Sequence, residues 1–365
     1  MARRLFHTLD GLRGLAAVAV VLVHMGKVSF PTIWYPAGGY LAVDLFFGLS
    51  GFVLAEAYAA RLDAGLSLAA FMQKRIVRLW PLYALGLGLG AAAAALRIAS
   101  HHAPPSALAP FLPALFYCPW FGSDGVLYPL NFPAWSLFYE LIANIVMAAA
   151  WRRLDNRTLI GLVCLSALGL VVSARLLGSL NAGMIWSWAP AALARVGFSF
   201  FLGILLWRAG PRLLNVSVPP NVSAWVPMGL LALALAVDTH RIPRPLLDLS
   251  EVFFLLPAII WLGASTRPTG ASLMMFEALG GASYALYAVH APILGLVAAF
   301  LNSGLHIPPN TASPWLCLAI LAGLVLLAWS LNRLDVAFRA RLDAPARWVT
   351  QRAARAQPAD EAIRG

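Results

Sequence analysis

The stretch Leu9–Val28, LDGLRGLAAVAVVLVHMGKV, is a continuous apolar run interrupted by an arginine and a histidine. Helix of that length covers about 30 Å, the thickness of the hydrocarbon core of a bilayer. Arg13 and His24 are eleven residues apart. At 100° per residue that is about 20° beyond three full turns, so both side chains share one stripe, about 16 Å apart along the axis. An arginine in hydrocarbon costs about 3 kcal/mol even on lenient insertion scales, and a neutral histidine is a polar burden as well. A helix that holds both on one face is expected to turn that face toward a protein-lined cavity. A buried reaction or transport site is the first expectation.

The rest of the chain repeats this pattern. Of its 365 residues 61% are hydrophobic and only 11% charged, whereas soluble domains carry about 25% charged residues. Mean hydropathy is +0.78, and the apolar blocks are continuous, which disfavours the alternating strands of a β-barrel. The expected class is an all-α, polytopic transmembrane helical bundle. The net charge of +11 invites a nucleic-acid reading, but the basic residues collect in short segments between alternate spans, which is a topology signal. No nucleic-acid partner is expected; membrane lipids are. Arg3 and Arg4 precede an apolar run without a small-residue cleavage site, so no cleavable signal is read there. Cys118, Cys164 and Cys317 are isolated, giving neither a metal site nor a disulfide framework.

The hydropathy pattern predicts about ten spans: 9–28, 38–60, 79–98, 134–151, 158–177, 189–207, 222–238, 249–265, 278–300 and 315–334. Segment 107–121, ALAPFLPALFYCPWF, is apolar but short and broken by Pro110, Pro113 and Pro119. Spanning, re-entry and an interfacial position all remain open, and its aromatics favour the last two. With ten spans and both termini cytoplasmic, the inner segments hold Arg61, Lys74, Arg75, Arg78, Arg152, Arg153, Arg157, Arg208, Arg212, Arg267 and the arginines from Arg333 onward. Counting 107–121 as a crossing would put the Arg152–Arg157 cluster outside. The expected organisation is one membrane domain, 1–335, and a basic cytoplasmic tail, 336–365, read as a short amphipathic helix on the inner leaflet.

Four groups of residues carry chemistry. His24 shares a stripe with Arg13, and the next span brings Asp44 in GGYLAVDLFFGLSGF. A carboxylate facing an imidazole sets its tautomer and steadies the imidazolium, as a general base requires. Second, Arg75 and Arg78 in QKRIVRLWPLYAL are one helical turn apart. Two guanidiniums so spaced can grip one anionic group, and ordinary positive-inside anchoring explains the same cluster equally well. Third, Glu140 in NFPAWSLFYELIANIV lies about one turn into a span, behind Trp135, Ser136 and Tyr139. It either contacts substrate or forms an ion pair with Arg13 or Arg195. Fourth, Tyr284, Tyr287 and His290 follow one helix face in GGASYALYAVHAPI. An interfacial tyrosine belt accounts for the tyrosines, while His290 lies deeper.

These blocks, in this order, resemble the acyltransferase family 3 membrane proteins, which O-acylate bacterial glycans and related acceptors. The stretches that carry the likeness are LDGLRGLAAVAVVLVH, GGYLAVDLFFGLSGFVLA, FMQKRIVRLWPLY, PAWSLFYELI and LGGASYALYAVHAPI, from Leu9 to Ile293. The resemblance implies a multi-pass protein of the bacterial inner membrane. It would take an acyl group, acetyl being the expected one, from cytosolic acyl-CoA to a hydroxyl of a surface or exported glycan or lipid-linked sugar. No permanently bound cofactor and no metal are implied. By motif position Arg13 and His24 match the family's pair in the first span, Arg75 and Arg78 its basic inner pair, and Glu140 the acidic residue after its Trp-Ser element. The expected roles are donor binding for Arg13, Arg75 and Arg78 and catalysis for His24, Asp44 and Glu140. Trp135, Ser136, Tyr139 and His290 are expected substrate contacts. The family's acidic-x-Pro element after the last span is replaced here by LNRLDVAFRARL. The rival reading is a proton-coupled secondary transporter or lipid-linked-glycan flippase, which buried Arg13, His24, Asp44 and Glu140 would also suit. Against it, neither an inverted repeat nor paired broken helices are visible in the sequence.

Overall fold

The computed structural model describes residues 6–122, 124–210, 220–238 and 241–355, with the side chains of 220, 221, 309 and 340–355 excepted. Arg3, Arg4, Arg212 and the last part of the expected tail, 356–365, lie outside the described residues. Among the described residues the fold is helical, and its one β-bridge pairs Val126 with Ile185. Nine helices among the described residues are long and apolar enough to cross a membrane. With one shorter helix they form, in order, α1 (His7–Ser29), α2 (Gly39–Asp63), α3 (Leu68–Ala99), α4 (Ala134–Arg153), α5 (Asn156–Leu177), α6 (Trp186–Ala209), α7 (Pro220–Ala236), α8 (Arg244–Ala264), α9 (Gly270–Gly304) and α10 (Pro314–Arg355).

The short α7 counts as a crossing because of the directions of its neighbours. Helices α3 and α4 run antiparallel, with Arg75 against Glu140 at one end and Gly90 against Leu130, just ahead of α4, at the other. The segment between them therefore does not cross. It re-enters: the Trp80 indole donates to the Leu115 carbonyl at 3.1 Å, Tyr83 stacks on Tyr117, and the chain returns to the level of Gly90 at Leu130. Helices α1 and α9 run parallel, with Asp10 against Gly280 and, further along, His24 against His290. Parallel directions require every one of α2 to α8 to cross, α7 included. The start of α1 and the end of the α10 span meet at the same end of the bundle, where His7 pairs with Glu277 at 3.1 Å and Asn332 lies beside Gly281.

Local chemistry sets the helix ends. Ser67 caps α3 by accepting from the Ala70 amide at 3.2 Å, and Asp155 caps α5 by accepting from the Thr158 amide at 2.8 Å. Because Ser67 starts α3 early, Lys74, Arg75 and Arg78 lie within its first turns, where a loop was expected. Helix α10 continues from the last span into the expected tail without interruption, to Arg355. No glycine or proline lies between Gly323 and Pro345, so the helix is continuous across 335/336.

The bundle is drawn tight by close backbone approach. A Cβ on Gly51 would sit 1.9 Å from the Phe200 carbonyl oxygen, so only glycine lets α2 and α6 touch there. The same holds for Gly86, where a Cβ would meet the Ala288 carbonyl at 2.0 Å and separate α3 from α9. With the His24–His290, Ser50–Glu140 and Arg75–Glu140 contacts, α1, α2, α3, α4 and α9 gather around one interior seam.

Candidate active site

Arg13 and His24 of α1 face this seam or its mouth. At the end where α1 begins, Arg13 pairs with Asp10 of its own helix at 3.2 Å. Arg75 is buried and donates from Nη2 to Glu140 Oε1 at 3.0 Å, and the Ser50 hydroxyl donates to the same oxygen at 2.6 Å. Glu140 therefore takes Arg75 as its cation, not Arg13 or Arg195. Arg75 Nε stays buried without a hydrogen-bond acceptor. Arg78, one turn on, is exposed, and Arg13, Arg75 and Arg339 all lie within electrostatic reach of it. Glu140 draws the Arg75 guanidinium inward while Arg78 faces the mouth.

Further along the seam Tyr284 donates to the Leu79 carbonyl, and Tyr287 donates to the Pro133 carbonyl at 2.9 Å. The Tyr287 and Ser136 oxygens are 2.6 Å apart, and the Phe46 ring packs edge-on against Tyr287. Beyond them His24 closes the α1 helix, immediately before a π-helical turn at Met25–Ser29. Such turns accumulate at functional sites because the bulge re-aims neighbouring side chains. His24 Nδ1 lies 2.7 Å from His290 Nε2, and His290 Nδ1 lies 3.0 and 2.9 Å from the Leu286 and Tyr287 carbonyl oxygens. Phe132 meets the His24 ring edge-on at 4.7 Å. Ser50, Phe132, Glu140, Tyr284, Tyr287 and His24 all keep part of their surface accessible, whereas Phe47, Trp135 and Tyr139 beside them are buried. The result is a narrow polar seam from the basic mouth to His24.

A scan of family models matches the family described as "Acyltransferase domain", the acyltransferase 3 family, over residues 6–333. The chain belongs to the acyltransferase 3 family. "Protein 2 in picA locus" of Rhizobium radiobacter is 38% identical over 187 residues, 46% of this chain and 94% of that protein. No solved structure matches the chain.

In this acyltransferase Asp44 is not the partner of His24. Its carboxylate is held by Arg195, with Nη2 at 2.6 Å from Oδ2 and Nε at 3.2 Å from both oxygens. Arg195 also donates to the Ala182 carbonyl at 2.8 Å and the Tyr40 carbonyl at 2.9 Å, and lies over the Trp135 ring at 5.5 Å. The pair is sealed, with side-chain exposures of 1% and 0%. Burial explains the correction: a buried carboxylate takes the nearest permanent cation, and a neutral imidazole cannot compete. Trp135 thus serves as a platform for Arg195. Ser136 is committed to Pro133 and Tyr287, and both ring nitrogens of His290 are occupied, so His290 is corrected from substrate contact to partner of His24. Tyr139 is buried with its hydroxyl unpartnered.

Sequence reasoning passed over Asp248. It is fully buried, accepts from Tyr40 at 2.8 Å and from the Leu180 amide at 2.8 Å, and is ion-paired with Arg244 at 2.7 Å. An acidic residue inside an apolar block was the available signal. With Asp44 and Arg195 it ties α2, α6 and α8 together at the end away from the basic mouth. Among the described residues no group of His, Cys, Asp and Glu is arranged to hold a metal ion.

Proposed function

We propose that this acyltransferase moves an acyl group, acetyl by preference, from cytosolic acyl-CoA to a hydroxyl of a surface or exported glycan. The reading places it in the bacterial inner membrane with both termini cytoplasmic and the basic mouth on the cytosolic side. The single observation that carries the reading is the polar seam, which joins the Arg13, Arg75 and Arg78 cluster to His24 through an otherwise oily bundle. Arg78 and Arg13 would receive the nucleotide phosphates, since guanidinium matches phosphate oxygens bidentately. Arg75, held by Glu140, adds positive charge beneath that contact. The slender pantetheine arm would run along the seam past Ser50, Tyr284 and Tyr287 and carry the thioester about 16 Å inward to His24.

There His24 acts as general base. The acceptor oxygen attacks the thioester carbonyl while its proton passes to the imidazole. The new C–O bond forms, the C–S bond breaks, and the leaving thiolate takes the proton back from the imidazolium. The test uses purified protein and acyl-labelled acetyl-CoA. Wild type should release CoA and transfer label to glycan, and His24→Ala should abolish both at unchanged membrane abundance. Full activity in that variant removes His24 from the mechanism. An absence of CoA release in wild type, with transport of a glycan across the bilayer, favours the transporter instead.

A further inference from the structure

The hydrogen-bond directions around the two histidines are determined by elimination. The Leu286 and Tyr287 carbonyl oxygens can only accept, so His290 Nδ1, within 3.0 Å of both, carries a proton. His290 is fully buried and meets two carbonyls and an imidazole, with no carboxylate to balance a charge. The neutral form is the one that such a site tolerates, and in it Nε2 is an acceptor. His24 Nδ1, 2.7 Å away, must then be the donor. The two rings are parallel to within 1° and their centroids are 4.9 Å apart. That separation equals the hydrogen bond plus the two ring radii, so the rings share one plane edge to edge and are not stacked face to face. In-plane approach puts the hydrogen on the lone-pair axis of His290 Nε2.

We propose that His290 is the positioning residue of this transferase: it receives the Nδ1 proton of His24 and so locks His24 in the tautomer whose Nε2 is the base. It takes the role that a carboxylate has in a Ser-His-Asp triad, but as a neutral group suited to the middle of a membrane protein. His24 Nε2 has no hydrogen-bond partner among the described residues and stays free for the acceptor hydroxyl. The Nδ1 proton never leaves His24 during transfer; only the Nε2 proton moves, from acceptor oxygen to imidazole to the departing thiolate. The backbone of α9 is what orients the pair, because two carbonyls one residue apart hold His290 Nδ1 and prevent its ring from turning.

This inference rests on His24 being the base, and the experiment separates the two. A glutamine amide oxygen is as many bonds from the backbone as histidine Nε2, whereas an asparagine oxygen reaches only the position of Nδ1. His290→Gln, His290→Asn and His290→Leu are purified with His24→Ala, and kcat and KM for acetyl-CoA are measured per mole of monodisperse protein. The expected result is a loss of kcat of about 100-fold or more in Leu and Asn. Gln should stay within about tenfold of wild type, and KM for acetyl-CoA should change little throughout. A role in packing alone predicts equal effects of Gln and Asn, and that outcome overturns the proposal; if Leu fails to accumulate, the Gln and Asn comparison still decides. If His24→Ala is inactive while His290→Leu keeps full kcat, the positioning role fails and the base stands. If His24→Ala is active, the function proposed above fails first.

Discussion

Replacing Asp44 by asparagine keeps the volume of the side chain and removes its charge. Arg195 would then lie almost fully buried with two carbonyls and one amide oxygen around a full positive charge. In the native pair Asp44 accepts from Nη2 at 2.6 Å and from Nε at 3.2 Å, and neither side chain exposes more than 1% of its surface. Solvent screening is therefore negligible, and removing one member of such a pair costs about 3–5 kcal/mol because the other charge is left uncompensated. At roughly 2 °C per kcal/mol for a chain of this size, the melting transition in detergent should fall by about 6–10 °C. Replacing both partners with apolar residues, Asp44→Leu with Arg195→Met, should recover much of that loss, because only the Ala182 and Tyr40 carbonyls then lack a donor. The assay is fluorescence-detected size exclusion after heating, run beside acetyl-CoA turnover on protein that remains folded. Turnover per folded molecule should change by less than about tenfold. An unshifted melting transition together with the loss of turnover seen in His24→Ala would refute this reasoning and return Asp44 to the imidazole.

Two further outcomes follow from the mouth and the loops. Arg75→Ala with Arg78→Ala should weaken acetyl-CoA binding by at least about tenfold, read by calorimetry on purified protein, and unchanged affinity reduces the cluster to topology anchoring. Asp155, outside the spans, has its carboxyl held below the usual carboxylate range by the Thr158 amide it caps. A carboxyl so lowered stabilises the fold above its unfolded pKa and loses that contribution as pH falls through the lower folded value. Asp155→Asn keeps an acceptor at the cap, so its melting temperature should fall less steeply than wild type in the acid range, and equal slopes would count against the cap.

Much of the site was legible residue by residue but not as pairs. Arg13, His24, Glu140 and His290 stand out because ionisable groups are costly inside apolar blocks. Which of them meet is a matter of helix packing. His24 and His290 are separated by 266 positions in the chain, and Asp44 and Arg195 by 151. A helix-face argument ranks residues on one helix and says nothing about the rotation of its neighbours. Span order alone pairs Asp44 with His24 of the preceding helix, whereas the packing of α2 on α6 through Gly51 and Phe200 carries it to Arg195. The re-entrant path of the segment after α3 was left open for a similar reason. Its prolines exclude a straight span, but only contacts with Trp80 and Tyr83 determine how deep it goes.

Sequence alone determined the all-α membrane class, the order of the spans and the stripe that bears Arg13 and His24. Those depend on hydrocarbon thickness and helical periodicity, which every residue meets locally. Tertiary structure alone decided which buried ionisable groups pair, Arg75 with Glu140, Arg195 with Asp44 and His24 with His290. Each of these is set by which buried donor finds which acceptor once the backbones have closed on their glycines, and that is a property of the assembled bundle.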